Sequence, residues 1–230
     1  RLDKTTGIVS TVLNSSTSAP VMFYGPAGMV SDGTFLYVAQ HSNHTIAKVD
    51  LASGTLETIA GTGTAGSTDG VGSAATFNQP TGLALIGSNL FVADTVNQTI
   101  RKVDLSTTAY TVTTIAGLAG TAGSADGVST AARFYWPSHL ATDGANLYVT
   151  DNYNNLVRMV VNPSITAYVF TLAGKAGVPG YKDAVATAAL FNGPNGIACD
   201  GENLYVADSK NNMVRQIVLA SGTVTTLAGS

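Results

Sequence analysis

Charge is what this sequence has least of. Only 11% of its 230 residues are Asp, Glu, Lys or Arg, and 11 basic against 14 acidic side chains leave a net charge of −3. No Lys/Arg cluster occurs, so the electrostatic footprint of a phosphate-backbone partner is missing and nothing points to nucleic acid. A single cysteine, Cys199, rules out an intramolecular disulfide and any Cys-x-x-Cys metal or haem attachment. No run approaches the roughly 18 apolar residues that a membrane-spanning helix needs, and no signal peptide is visible. The chain opens on Arg1 rather than Met, which reads as a processed or partial polypeptide. Nucleophile-elbow and phosphate-loop patterns are also missing. Gly117-Leu-Ala-Gly-Thr-Ala-Gly123 is no dinucleotide fingerprint, because no helix of useful length follows it.

What is present is a sparsely charged, glycine-rich chain, 45% hydrophobic with 25 Gly and long Thr/Ser/Ala/Asn stretches. That composition belongs to a globular, β-rich protein and suggests an extracellular or cell-surface setting. The dominant feature is repetition. Leu36, Leu90, Leu147 and Leu204 each begin a copy of one pattern: Leu-Tyr/Phe-Val, a small residue, a polar turn and two further apolar runs. A lead-in precedes each copy, Phe23-Tyr-Gly-Pro26, Phe77-Asn-Gln-Pro80, Phe134-Tyr-Trp-Pro137 and Phe191-Asn-Gly-Pro194, so the prolines recur at intervals of 54, 57 and 57 residues.

Alternation and turn punctuation divide each copy into four short strands; in the second these are Gly82–Leu85, Leu90–Ala93, Thr99–Asp104 and Val112–Ala116. Three successive hairpins per unit, repeated, predict an all-β β-propeller of four-stranded antiparallel blades. Full blades are expected at 26–60, 80–116, 137–173 and 194–228, with a half blade at 1–13, where RLDKTTGIVSTVL matches the second half of a unit. A half blade without its complement implies a ring continued elsewhere, or strands recruited from a neighbour by self-assembly through the unpaired N-terminal strands.

Leu90-Phe-Val-Ala-Asp-Thr-Val-Asn-Gln-Thr-Ile-Arg-Lys-Val and Leu204-Tyr-Val-Ala-Asp-Ser-Lys-Asn-Asn-Met-Val-Arg-Gln-Ile resemble NHL repeats, as does the Pro-x-Gly lead-in at Pro26, Pro80 and Pro194. The triplet that names the family is reduced here to its Asn: Asn43-His-Thr, Asn97-Gln-Thr, Asn154-Asn-Leu and Asn211-Asn-Met. The resemblance spans nearly the whole chain and implies a ring of six blades. Function it leaves open, since such propellers include binding modules and enzymes.

Topology places the long links between blades on the same rim as the turns between second and third strands, making that rim the default binding surface. Asp69, Asp126 and Asp183 in the links read as local turn residues accepting nearby backbone N–H groups, and the lead-in Phe residues as plugs. Residues that depart from the repeat are the candidate contacts: Gln40, His41, Trp136, His139, Asn152, Tyr153 and Lys210, with the turn Asn and Asp side chains beside them. His139, which replaces the Gly of Pro-x-Gly, is expected near the axis, packing near Trp136.

Peptidylglycine-amidating lyase resembles this architecture and holds zinc with histidines from different blades; here the matching positions are Gly28, Gly82 and Gly196, so that zinc site cannot be built. No cofactor is expected, apart from weak scope for Ca²⁺ in the loops. The leading expectation is a non-enzymatic scaffold or binding module for a protein or glycan. The alternatives are a metal-dependent hydrolase or lyase completed outside this segment, for which Asp94, Asp151 and Asp208 sit after the second strand, displaced outward from the axis, and a subunit assembling by strand exchange.

Overall fold

The computed structural model describes residue 5 and residues 21–229; apart from residue 5, the half blade expected at 1–13 lies outside the described residues. Among the described residues the chain forms four antiparallel sheets. The first holds β1 (Pro26–Ser31), β2 (Phe35–Gln40), β3 (Thr45–Asp50) and β4 (Leu56–Ala60). The second holds β5 (Pro80–Ile86), β6 (Asn89–Asp94), β7 (Thr99–Asp104) and β8 (Val112–Ala116). The third takes in β9 (Gly127–Val128), β10 (Pro137–Thr142), β11 (Leu147–Asp151), β12 (Leu156–Val161) and β13 (Tyr168–Gly174). The fourth takes in β14 (Ala184–Val185), β15 (Pro194–Cys199), β16 (Asn203–Asp208), β17 (Met213–Val218) and β18 (Thr223–Gly229).

Within each sheet the long strands pair in chain order, and the innermost strands β1, β5, β10 and β15 pack side by side from one sheet to the next. This is the blade arrangement of a β-propeller. The links add a feature that the repeat pattern did not signal. On its way to a new blade the chain first runs along that blade's outer edge: β9 pairs with β13, and β14 with β18. The first residues of each of these outer strands are thereby covered by the link, which shortens the edge open to foreign strands.

Each first strand breaks register just after its proline, between Pro26 and Met29, Pro80 and Leu83, Pro137 and Leu140, and Pro194 and Ile197. The Pro-x-Gly signature is therefore a β-bulge. Its glycine allows the blades to meet: a Cβ on Gly28 would lie 2.2 Å from Thr81 O, and one on Gly82 would lie 2.5 Å from His139 Cα.

A polar clasp ties each link to its blade. The Arg101 guanidinium, fully buried, donates to Asp94 at the end of β6, to Asp69 in the link, and to the link carbonyls of Thr68 and Thr76. Phe77 lies against it, with the guanidinium carbon 5.1 Å from the ring centroid. Arg158 with Asp151, Asp126 and Phe134, and Arg215 with Asp208, Asp183 and Phe191, repeat the arrangement. Two sequence expectations are corrected here. Asp69, Asp126 and Asp183 are not local turn residues, because their partners are the distant guanidinium and Thr114, Thr171 or Thr226. Asp94, Asp151 and Asp208 are not exposed contacts; each is 0% exposed. The plug reading fits Phe77, Phe134 and Phe191, all 0% exposed, whereas Phe23 is half-buried.

Candidate functional site

Four backbone positions recur at the rim where a lead-in meets the turn between second and third strands. The lead-in residue before each proline, Gly25, Gln79, Trp136 or Gly193, has φ between 55° and 62°. Its neighbour in the turn is Ser42, Val96, Tyr153 or Lys210. For the last three blades the lead-in N–H is held by the previous blade: Gln79 donates to His44 Nδ1 at 3.0 Å, Trp136 to Gln98 Oε1 at 2.6 Å, and Gly193 to Asn155 Oδ1 at 2.9 Å. His44 is thus a blade-to-blade tie. The backbone is constant at this place while the side chains change from blade to blade.

In the third blade the change produces an aromatic group. The Trp136 and Tyr153 rings stack with centroids 5.3 Å apart at 26°, and Tyr135 meets Tyr153 edge-on at 5.0 Å and 82°. Backbone bonds fix the arrangement, since Tyr153 N donates to Tyr135 O, Asn152 N to Trp136 O, and Tyr135 N to Asp151 Oδ1. From the fourth blade the Lys210 stem lies where a side chain on Gly193 would stand, and its ammonium sits 5.6 Å from the Tyr153 centroid. Tyr135 and Tyr153 remain 42% and 46% exposed, and Lys210 is exposed.

Toward the axis the strip continues through polar groups. Asn152 Nδ2 donates to Pro194 O at 3.0 Å, and His139 Nδ1 donates to Asn195 Oδ1 at 3.2 Å. Burial pushes the His139 pKa down, with the Asn195 bond working the other way. Trp136 and His139, expected together, thus take different partners: Tyr153 for one, Asn195 for the other.

Five of the seven expected contact residues, Trp136, His139, Asn152, Tyr153 and Lys210, therefore fall in one strip between the third and fourth blades. Gln40 and His41 lie in the first blade. Gln40 is 2% exposed, with its amide bonded to Tyr24 N and Thr45 Oγ1, and His41 is half-buried. Sequence reasoning missed Tyr135 and Asn195 as members of the strip. Tyr135 had a signal, since Tyr135-Trp136 stands where other lead-ins read Tyr24-Gly25, Asn78-Gln79 and Asn192-Gly193.

Catalytic constellations are sparse. Among the described residues no three His, Cys, Asp or Glu side chains come together to hold a metal ion. The carboxylates of Asp94, Asp151 and Asp208 are each taken by an arginine within 2.9 Å. On the opposite rim the inner strands enclose an open cavity of about 340 Å³ lined mainly by aliphatic residues such as Leu83, Leu140 and Ile197. Among the described residues no helix is long and apolar enough to cross a membrane.

No family model matches the chain. NHL repeat-containing protein 2 of Bos taurus is 35% identical to it over 161 residues, covering 64% of this chain and 22% of that protein. Among solved structures, an auxiliary nutrient binding protein from Bacteroides thetaiotaomicron superposes on 84% of this chain and 45% of its own, with TM-score 0.63 and 20% identity. A streptogramin B lyase superposes on 90% of this chain and 70% of its own, with TM-score 0.51 and 14% identity. The chain spans less than half the length of the first two. At these identities the two structures establish the propeller fold alone.

Proposed function

Since the chain is built of NHL-type repeats folded as consecutive β-propeller blades, we propose that it acts as a non-enzymatic binding module. Its site is the rim between the third and fourth blades, and its partner is a protein or glycan met at the cell surface or outside the cell. The observation that carries this reading is the group of Tyr135, Trp136 and Tyr153, half-exposed where the scaffold is otherwise the same from blade to blade. Trp136 holds the positive φ that every lead-in shares, 62° here, and only in this blade does that constant backbone carry a large aromatic side chain. The reading calls on no cofactor; in the second blade the Asp94 and Asp69 carboxylates accept from Arg101, and Asp69 also from Thr114. Self-assembly by strand exchange would be a separate activity, visible as a mass in solution above that of one chain.

The test is an array carrying glycans and purified surface proteins, probed with the wild type and with a Tyr135→Ser/Tyr153→Ser double variant. The expected result is at least one retained ligand, lost about tenfold or more in the double variant, and retained by Glu202→Ala on the opposite rim. Equal binding by the double variant overturns the site; conversion of a bound compound into product overturns the non-enzymatic reading.

A further inference from the structure

Resting on that binding reading, we propose that the Tyr135–Trp136–Tyr153 strip with Lys210 recognises an acidic sugar: a uronic acid unit of a polysaccharide, its ring against the aromatic side chains and its carboxylate at the Lys210 ammonium.

Three independent observations lead there. The first is the shape and chemistry of the surface. Two flat rings, those of Tyr135 and Trp136, lie within 5.3 Å of the Tyr153 ring and sit beside carboxamides, an amphipathic surface that suits the C–H face and hydroxyls of a pyranose. Among the described residues neither Oδ1 of Asn152 nor Nδ2 of Asn195 has a hydrogen-bond partner, so an acceptor and a donor are open to sugar hydroxyls.

The second is the charge. Lys210 is exposed and, among the described residues, has no carboxylate within 4.0 Å. Its ammonium is held over Tyr153 at 5.6 Å, and its stem is laid against Gly193, where a larger residue would displace it. A fixed, unneutralised cation at the end of an aromatic strip favours a ligand with both a ring face and an anion, through a charge-assisted hydrogen bond. A neutral sugar would leave the ammonium unused, and a cationic ligand would be repelled.

The third is comparison within the chain. The equivalent positions in the first two blades, Tyr24-Gly25 with Ser42 and Asn78-Gln79 with Val96, supply neither the ring pair nor the cation. The combination is unique to the third and fourth blades, so it is not a demand of the fold.

Trp136 is the only tryptophan in the chain, so its fluorescence reports this site alone. The wild type is titrated with trigalacturonic acid, with maltotriose as the neutral trisaccharide, and with tetraglutamate as an acidic peptide, each followed by Trp136 emission and by calorimetry. The expected result is saturable binding of trigalacturonic acid with Kd on the order of 0.1–1 mM, and binding of maltotriose and tetraglutamate at least about tenfold weaker. Lys210→Ala should weaken trigalacturonic acid about tenfold and Lys210→Arg should restore it to within about threefold, with melting temperatures unchanged. Unchanged emission and heat with trigalacturonic acid, equal affinity for maltotriose or tetraglutamate, or an unaffected Lys210→Ala would each overturn the acidic-sugar assignment. A neutral glycan or protein found on the array and lost in the Tyr135→Ser/Tyr153→Ser variant would preserve the binding reading while this inference fails.

Discussion

Arg101 Nη1 lies 2.7 Å from Asp94 Oδ2, seven residues back along the chain, and both side chains are 0% exposed. In the first blade the same two positions hold Gln40 and Ala47, so the ion pair is replaced as a unit rather than half-removed. A buried charge whose partner is deleted costs several kcal/mol, whereas removing both charges costs far less. Asp94→Ala, which strands the Arg101 charge on that side, should destabilise by about 3–5 kcal/mol. The pair Asp94→Gln and Arg101→Ala, which copies the first blade, should lose less than the sum of its single changes, with a coupling of about 1 kcal/mol or more in a denaturation double-mutant cycle. Strict additivity would mean that the clasp does not act as a pair.

Asp143 shows the same logic at the opposite rim. Burial works to raise its pKa but is outweighed by N–H bonds from Asn146 and Ala145 and by the Asn146 amide and Tyr148 hydroxyl, which bring it down to about 2 from 3.8. A depressed carboxylate pKa contributes stability that is present above 3.8 and lost as pH falls toward 2. Discounted for its largely solvated position, the contribution is about 1 kcal/mol. Asp143→Asn should therefore melt below the wild type at pH 6, and the gap should narrow steadily as pH falls from 3.8 toward 2. A gap independent of pH would remove the carboxylate from the account.

Val157 and Val214 occupy equivalent places in the third and fourth blades, yet Val157 is 0% exposed and Val214 is 41% exposed. The first is covered by the following blade, and the second has no such cover among the described residues. Val157→Ala should cost about 2 kcal/mol in chemical denaturation, while Val214→Ala should stay within about 0.5 kcal/mol of the wild type. Equal losses would show that the face bearing Val214 is covered in solution.

The blades were legible because every local cue agreed: period-two alternation, Gly and Asp turns, and a proline marking each first strand. The clasp was not. In Thr99-Ile-Arg-Lys an arginine in an alternating strand reads as an outward polar residue, and Asp69-Gly reads as a turn. Only the fixed seven-residue offset from Asp94, and the joint replacement by Gln40 and Ala47, carried the information that the two charges meet. The site was half legible for a related reason. Departures from the repeat singled out Trp136, Tyr153 and Lys210, but which of them touch depends on the lead-in folding back onto the turn. That contact joins residues 18 apart, with Tyr153 N donating to Tyr135 O rather than to a near neighbour in sequence. Gln40 was distinctive in the sequence because it replaces a buried aspartate, not because it faces a ligand.

Trp136 offers the sharpest separation of stability from binding. Its φ of 62° is one that glycine adopts freely, and Gly25 and Gly193 fill the equivalent positions in other blades. Trp136→Gly relieves about 1 kcal/mol of backbone strain and gives up a ring stack of about 0.5–1.5 kcal/mol, together with some partly buried apolar surface. These contributions oppose one another. The melting temperature should therefore move by no more than a few degrees, the turn around Tyr153 remaining held by the Tyr153 N to Tyr135 O bond. Ligand binding at the rim should nevertheless fall about tenfold or more, because an aromatic anchor of this kind carries a large share of recognition energy. Calorimetric melting and array binding on the one variant check both halves. A large drop in melting temperature would make Trp136 a structural plug, and unchanged binding would move the site away from the third blade.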